Sequence, residues 1–309
     1  MFIIYALILP LALCVDRIFG DPKSRFHPVA LIGAFIDWWG SPGKWCPGQQ
    51  RVAGAAMWIV TAAIFAIPFY LAEQFLPWLF LLVAGPFLLK FCLAWRSLEE
   101  HTLAVSVALS GNIVDGRREA ALLVSRDTRQ LTDEQVLSAA YESLSENLTD
   151  SIISPVFYFG IFGLTGAAIY RAANTMDAML GYRDERERIG WFSARMDDIL
   201  NYIPARIAGA LLLMYFAVRG RLSPAYVAFQ RDRSKRPGFN GGIPMAILAG
   251  GAGVQFEKPG VYTMGTPERS LEEGGPEIIS AVRAVAVVFS LAVMMVLLLL
   301  GSVTIYTGI

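Results

Sequence analysis

Residues 53–72 read AGAAMWIVTAAIFAIPFYLA and residues 284–306 read AVAVVFSLAVMMVLLLLGSVTIY, which gives 20 and 23 consecutive positions without a charge. Each run, coiled as a helix, is long enough to cross a hydrocarbon core of about 30 Å. A chain of 309 residues that is 55% hydrophobic and carries two such runs reads as an integral membrane protein. Working outward, residues 75–95 form a third apolar stretch, interrupted by Lys90, whose long stem would let its ammonium snorkel to the interface. Residues 2–15 form a fourth, short and bent by Pro10. That stretch lacks the basic n-region and small-residue cleavage site of a signal peptide and is expected to stay as an anchor. The expectation is an all-α, polytopic helical membrane protein forming one domain over residues 1–309, with about 4 spans.

Charge sets the expected topology. Arg17, Lys23, Arg25, Lys44 and Arg51 flank one end of the hairpin made by the second and third apolar runs, and Arg96 with the arginines of 117–129 flanks the other. The positive-inside rule puts both flanks in the cytoplasm and both chain ends outside. Glu73 is then the one charge of a thin outer hairpin, and Trp38, Trp39 and Trp45 read as interfacial anchors. Two further apolar stretches, 152–170 and 207–218, are either re-entrant or spanning. If both crossed, the arginines between 171 and 206 would lie outside, so membrane-embedded helices that do not cross are expected. Residues 219–281 read as a loop that opens with a basic segment at the lipid headgroups. Its glycine clusters fit no phosphate-loop pattern.

The polar residues concentrate in 142–206. Thr132 and Gln135 form a capping-box pattern, and Val136, Ala140, Leu144 and Leu148 then recur as a helical stripe. Glu142, Glu146 and Asp150 share the opposite face, where like charges call for an arginine, a divalent metal or a cationic substrate. A second amphipathic pattern carries Asn174 and Asp177, and a third carries Asp197, Asp198 and Asn201. Asparagines lower helix propensity without adding charge, so a merely solvated face is a poor account of them. The predicted site is therefore the convergence of Glu146, Asn147, Asp150, Asn174, Asp177, Asp197, Asp198 and Asn201. Asp197 has no local cation, whereas Asp198 has Arg195 one turn back.

Equal numbers of basic and acidic residues, 26 of each, give no sign of nucleic-acid binding. Cys14, Cys46 and Cys92 are too scattered for a disulfide framework or a zinc site. With two histidines, His27 and His101, a metal site would have to be carboxylate-based, which favours Mg²⁺. His27, beside Pro28, reads first as a structural hydrogen-bonding residue.

The motifs, taken in order, resemble those of the adenosylcobinamide-phosphate synthase family (CobD/CbiB). They are Gly20-Asp21-Pro22, His27-Pro28-Val29 and Ile32-Gly33, then Arg126-Asp127-Thr128 and Glu142-Ser143-Leu144-Ser145-Glu146-Asn147 with Asp150. The series continues with Tyr170-Arg171-Ala172-Ala173-Asn174-Thr175-Met176-Asp177, Gly181-Tyr182, Ser193-Ala194-Arg195-Met196-Asp197-Asp198 and Asn201-Tyr202-Ile203-Pro204-Ala205-Arg206. The resemblance covers nearly the whole chain. It implies a membrane ligase of cobalamin biosynthesis that joins aminopropanol, or its phosphate, to a propionate of adenosylcobyric acid at the expense of ATP, with Mg²⁺ and in the company of other membrane enzymes of late cobalamin assembly.

On that resemblance Glu146, Asp150, Asp177 and Asp197 are expected to be catalytic, with Glu146, Asp150 and Asp197 as metal ligands. Asp21, His27, Asn147, Asn174, Tyr182, Arg183, Arg195, Asp198, Asn201, Arg206 and Asn240 are expected to bind substrate, and Arg171 to help hold phosphate oxygens. One departure stands out: Met245 follows Ile243-Pro244 where the family has a glutamate, which puts the amino-alcohol specificity, or the activity itself, in question. The competing reading is a membrane sensor, scaffold or transporter of the AmpE-like type, which has less use for so many carboxylates near the membrane.

Overall fold

The computed structural model describes residues 1–21 and 27–307. Pro22, Lys23 and Arg25, which the turn and topology readings used, lie outside them. In chain order the helices are α1 (Phe2–Phe19), α2 (Pro28–Trp39), α3 (Gln50–Phe75), α4 (Trp78–Lys90), α5 (Trp95–Gly111), α6 (Ile113–Ala120) and α7 (Asp133–Leu148). A π-helical turn, Thr149–Ile153, leads into α8 (Ser154–Leu180), followed by α9 (Glu187–Leu200), α10 (Tyr202–Val218), α11 (Leu222–Asp232) and α12 (Gly242–Ala252). An antiparallel hairpin of β1 (Gln255–Lys258) and β2 (Tyr262–Gly265) precedes the long α13 (Leu271–Thr307).

Five helical runs among the described residues are long and apolar enough to span a membrane: Phe2–Phe19, Gln50–Phe75, Trp78–Gly111, Asp133–Leu180 and Leu271–Thr304. α9 and α10, consecutive helices that meet at Asn201, make a sixth only if counted as one broken span. The stretch 152–170, which the arginine count favoured as re-entrant, lies in the 133–180 run, and its helix is broken at Gly163. On α3, Ile59, Ile64, Ile67 and Leu71 are exposed while Trp58, Ala62, Ala66 and Phe69 are buried, and on α13 Leu291, Met295 and Leu299 are exposed. Apolar faces of this extent are stable against lipid rather than water.

The supposed loop 219–281 is mostly regular structure. Every residue of α12 is buried, and its glycines permit that: Gly250 abuts Pro224 and Ala228 of α11, and Gly251 abuts the Phe216 ring of α10. α13 begins at Leu271, well upstream of the apolar run, because Glu272, Glu273 and Glu277 interrupt hydrophobicity without interrupting the helix.

The chain divides into two compact units. The first comprises residues 1–94, 154–201 and 290–309, and the second residues 95–153 and 202–289. In the first, Ile32, Ile36 and Trp39 of α2, Trp58 and Ala62 of α3, Ala173 and Met176 of α8, and Ile189 of α9 form one core. Trp39 is therefore a core residue and not an interfacial anchor, although Trp38 is exposed. Lys90 does not snorkel: it is buried and ion-paired with Asp21. Gly54 lets α3 touch the backbone of α9 at Ile189, where any Cβ would overlap the Ile189 carbonyl.

Glu73, expected on the outside of a hairpin, is also buried in this unit. α8 breaks at Gly163 (φ 66°, ψ −156°), a conformation that essentially only glycine adopts. Glu73 caps the helix that restarts there, accepting from the Leu164 N–H at 2.5 Å, the Thr165 N–H at 3.1 Å, the Thr165 hydroxyl and the Tyr5 hydroxyl at 2.7 Å. A carboxylate at a helix N-terminus satisfies orphan N–H groups and meets the positive end of the dipole.

In the second unit, Val105, Ala120, Leu131, Val136 and Ala140 join α5, α6 and α7. The expected capping box at Thr132 is formed in both directions. α6 starts at Ile113 because Asn112 caps it through the Asp115 N–H. Asp232 at the end of α11 holds the hairpin by accepting from the Gly265 N–H at 2.8 Å, with Arg231 and Lys235 against its carboxylate.

Candidate functional site

In the first unit the predicted polar residues of α8 and α9 meet around Asn201. Its side chain is 1% exposed and lies where α9 ends. Asn201 Oδ1 accepts from the Ser154 hydroxyl at 2.5 Å and the Tyr170 hydroxyl at 2.8 Å, and its Nδ2 donates to Asp197 Oδ2 at 3.0 Å. The other oxygen, Asp197 Oδ1, receives Asn174 Nδ2 at a longer 3.4 Å. Tyr170 is itself fixed by stacking on Tyr158, whose hydroxyl donates to the Leu200 carbonyl at 2.9 Å. Asn201 is thus a positioning residue that aims Asp197, a role its sequence neighbours did not reveal.

Asp177 and Asp198 lie close enough for their charges to act on Asp197. Among the described residues no arginine, lysine or histidine acts on Asp197. Asn174, Asp177, Asp197, Asp198 and Asn201 therefore form one acid-and-amide group, in which Asp197 is held by carboxamides alone. Arg195 is exposed on α9. Tyr182 and Arg183 are exposed in the turn after α8, where Tyr182 lies under the Arg186 guanidinium at 4.4 Å. Arg186, which sequence reasoning passed over, also donates to the Met179 carbonyl at 2.9 Å and so closes the end of α8.

A second polar group of this unit surrounds Asp21. Besides Lys90, His27 Nε2 stands 3.7 Å from Asp21 Oδ1. His27 is the N-cap of α2, its Nδ1 accepting from the Val29 N–H at 3.3 Å. Burial pushes its pKa below the ordinary value; Asp21 opposes the shift, and Lys90 and Arg171 reinforce it. Arg171 lines a small apolar cavity with Cys92, Phe65 and Phe69.

Glu146, Asn147 and Asp150 belong to the second unit. The cation demanded by the acidic face of α7 is supplied by arginines: Arg236 pairs with Glu146, and Arg126 Nη2 lies 3.1 Å from Glu142 Oε1. Asn147 is tied locally, donating to the Ser143 carbonyl at 3.0 Å and accepting from Ser151 at 3.1 Å. Asp150 falls in the π turn, whose wider winding takes it off the strict four-residue face of Glu142 and Glu146. Arg206 donates to Asn240 Oδ1 at 3.2 Å and lies over the Tyr202 ring at 3.4 Å. Met245 is 1% exposed, so the family's glutamate position points into the packed interior of the unit.

Sequence reasoning did not find Arg236 or Tyr262. Tyr262 donates to Glu142 Oε2 at 2.6 Å. Its pKa lies above the ordinary tyrosine value, through burial and then the adjacent Glu142 charge, with Arg236 and Arg126 acting in the opposite direction. Its partners come from α7 and from the segment after α6, a pairing across more than a hundred positions that no local pattern announces.

Among the described residues no group of three or more His, Cys, Asp or Glu side chains is disposed to hold a metal ion. A metal centre built from protein ligands alone therefore does not fit.

Taken together, the apolar spans define a polytopic, all-α membrane protein that carries partly buried groups of acids, amides and arginines. The chain belongs to the CobD/Cbib protein family, which it matches over residues 9–288. It is 42% identical over 262 residues to the probable cobalamin biosynthesis protein CobD of Methanothermobacter thermautotrophicus, covering 84% of this chain and 86% of the relative. It is 39% identical over 272 residues to the cobalamin biosynthesis protein CobD of Dehalococcoides mccartyi, covering 86% and 88%. The probable CobD of Thermococcus kodakarensis is 43% identical over 260 residues, covering 82% of each chain. No solved structure matches.

Proposed function

We propose that this protein, whose family is one of cobalamin biosynthesis, is an adenosylcobinamide-phosphate synthase: an ATP-dependent ligase joining a propionate of adenosylcobyric acid to the amine of aminopropanol or its phosphate. The observation that carries the reading is Asp197, a carboxylate held by two carboxamides, with no cationic partner among the described residues, beside two further acids. An amide-forming enzyme needs such a group, because the incoming amine arrives as an ammonium and is a nucleophile only when deprotonated.

The reaction balances as follows. A carboxylate oxygen of the corrinoid attacks the γ-phosphorus of ATP, giving an acyl phosphate and ADP. The free amine then attacks the acyl carbon, and inorganic phosphate leaves as the C–N bond forms. The ammonium's proton passes to Asp197, which Asn174 and Asn201 keep oriented through both steps. Arginines of the same unit, such as Arg183 and Arg195, supply donors for phosphate oxygens. Mg²⁺ entering with the nucleotide would offset phosphate charge, with Asp177, Asp197 or Asp198 as its protein ligands. The site faces the cytoplasm, where ATP is available and where the charge rule puts the arginine-rich segments.

The test is direct. Purified protein in lipid nanodiscs, given adenosylcobyric acid, aminopropanol phosphate, ATP and Mg²⁺, should form the amide with one ADP per product. Amide formation without ATP hydrolysis, or no product with any amino alcohol, would refute the assignment.

A further inference from the structure

Arg126 is held as a structural residue would be, yet part of it is left without a structural partner. Its side chain is 13% exposed, and Nη2 is anchored on Glu142. The Nε and Nη1 nitrogens are shut off from solvent and have no hydrogen-bond partner among the described residues. Glu142 makes no hydrogen bond to either. Its Oε1 also accepts from the Ser138 hydroxyl at 2.6 Å and its Oε2 from Tyr262 at 2.6 Å, so both oxygens are occupied. Ser138 is in turn locked by the Glu257 N–H at 2.6 Å, which ties the whole arrangement to the β1 strand.

Buried guanidinium N–H groups that lack acceptors are costly, and proteins rarely leave them so. The surroundings do not repel an anion. Arg236 acts electrostatically on the same Tyr262 hydroxyl as Arg126, and Arg126 and Arg236 together balance Glu142 and Glu146. A ligand that presents oxygen acceptors to Nε and Nη1 would complete the set, and the planar fork of arginine suits carboxylate and phosphate oxygens.

We propose that Arg126, braced by Glu142 and Tyr262, is an oxyanion-binding residue of the second unit, taking a phosphate or carboxylate group. That an oxyanion binds there stands on the guanidinium itself. That it belongs to a substrate rests on the proposed amide synthesis.

The experiment uses the full chain in phosphatidylcholine nanodiscs and measures calorimetric binding of ATP, inorganic phosphate and propionate in separate titrations. At least one probe binds the wild-type protein. Arg126→Lys, which keeps the charge and loses the fork, weakens that probe at least tenfold while the thermal midpoint stays within a few degrees. Binding of ATP and phosphate without propionate identifies a phosphate subsite, and the reverse identifies the carboxylate subsite. If none of the probes binds, or if Arg126→Lys binds as tightly as wild type, the nitrogens serve only buried water and the proposal fails. Should the variant not fold, hydrogen exchange on the wild-type protein decides. Protection by the binding probe must fall on residues 126–142 and the hairpin at 255–265, and protection confined elsewhere overturns the assignment. Arg126-dependent binding by a protein that forms no amide would leave this site standing and remove the proposed function alone.

Discussion

Replacing Asp197 by asparagine separates chemistry from folding. The new side chain keeps one acceptor oxygen, which can stay on Asn201 Nδ2 at 3.0 Å, and puts an NH₂ where Oδ1 received Asn174 Nδ2 at 3.4 Å. That second bond is long and therefore weak, and Asn174 can rotate its amide to present oxygen instead of nitrogen. The structural loss is at most one modest hydrogen bond, about 1 kcal/mol. Removing a charge that sits beside Asp177 and Asp198 works in the opposite direction. Net stability should thus change by less than about 1 kcal/mol, which in a chain of this size moves the midpoint by no more than about 3 °C. Catalysis loses its proton acceptor, and general-base removal is worth about 10²–10⁴-fold. The assay pairs thermal unfolding in nanodiscs with single-turnover amide formation. Activity within tenfold of wild type, or a fall in midpoint beyond about 10 °C, would show that Asp197 is a structural acid and that the reasoning is wrong.

Three further outcomes are expected. Gly163→Ala should destabilise the first unit by about 2–4 kcal/mol, because a Cβ there overlaps Glu73 Oε1 and the backbone conformation is one that alanine avoids; an unchanged thermal midpoint would refute the capping role of Glu73. For Asp232, burial raises the carboxyl pKa, but hydrogen bonds from Arg231, Lys235 and the Gly265 N–H outweigh it and hold the group at about 2, below the ordinary 3.8. The folded pKa is depressed, so the stabilisation, about 2 kcal/mol, is fully present above pH 4 and disappears as pH falls towards 2. Unfolding of Asp232→Asn should therefore differ from wild type at pH 7 and converge with it in acid, and a gap independent of pH would refute this. For topology, Glu185 in the turn after α8 is exposed. Glu185→Cys should resist a membrane-impermeant maleimide in intact cells and react after permeabilisation, and labelling from outside would reverse the orientation.

The features legible in the sequence were those whose signal is local. The runs 53–72 and 284–306 needed only length and the absence of charge, and the capping box at Thr132 needed only a four-residue window. Asp197 stood out because a helix places its neighbours in known directions, and no cation lay among them. What escaped was set by packing between distant segments. α12 reads as a glycine loop until Gly251 is seen under Phe216, where a larger residue would not fit. Tyr262 and Arg236 carry no motif of their own, and their importance comes from meeting Glu142 and Glu146 across the fold. Asp150 was assigned to the α7 face because a strict four-residue spacing was assumed, and the π turn at Thr149 breaks that spacing.

A general criterion emerges for the buried carboxylates, and it separates scaffold from chemistry better than sequence spacing does. An acid whose oxygens are saturated by donors, or neutralised by a cation and tied to backbone, has a structural job to do. Glu73 receives two backbone N–H groups and two hydroxyls at a helix restart; Glu142 receives Ser138, Tyr262 and Arg126; Asp232 receives Arg231, Lys235 and the Gly265 N–H. None of these could take up a proton or a ligand without dismantling what it holds. Asp197 differs in kind. Its two donors are carboxamides, which carry no charge to neutralise it and which can reorient when its protonation changes. The cost of keeping such a group is offset by Asn201, whose oxygen is fixed by Ser154 and Tyr170 so that its nitrogen must face Asp197. A carboxylate aimed by a locked amide, with no counter-ion among the described residues, is arranged to act on something that arrives from outside.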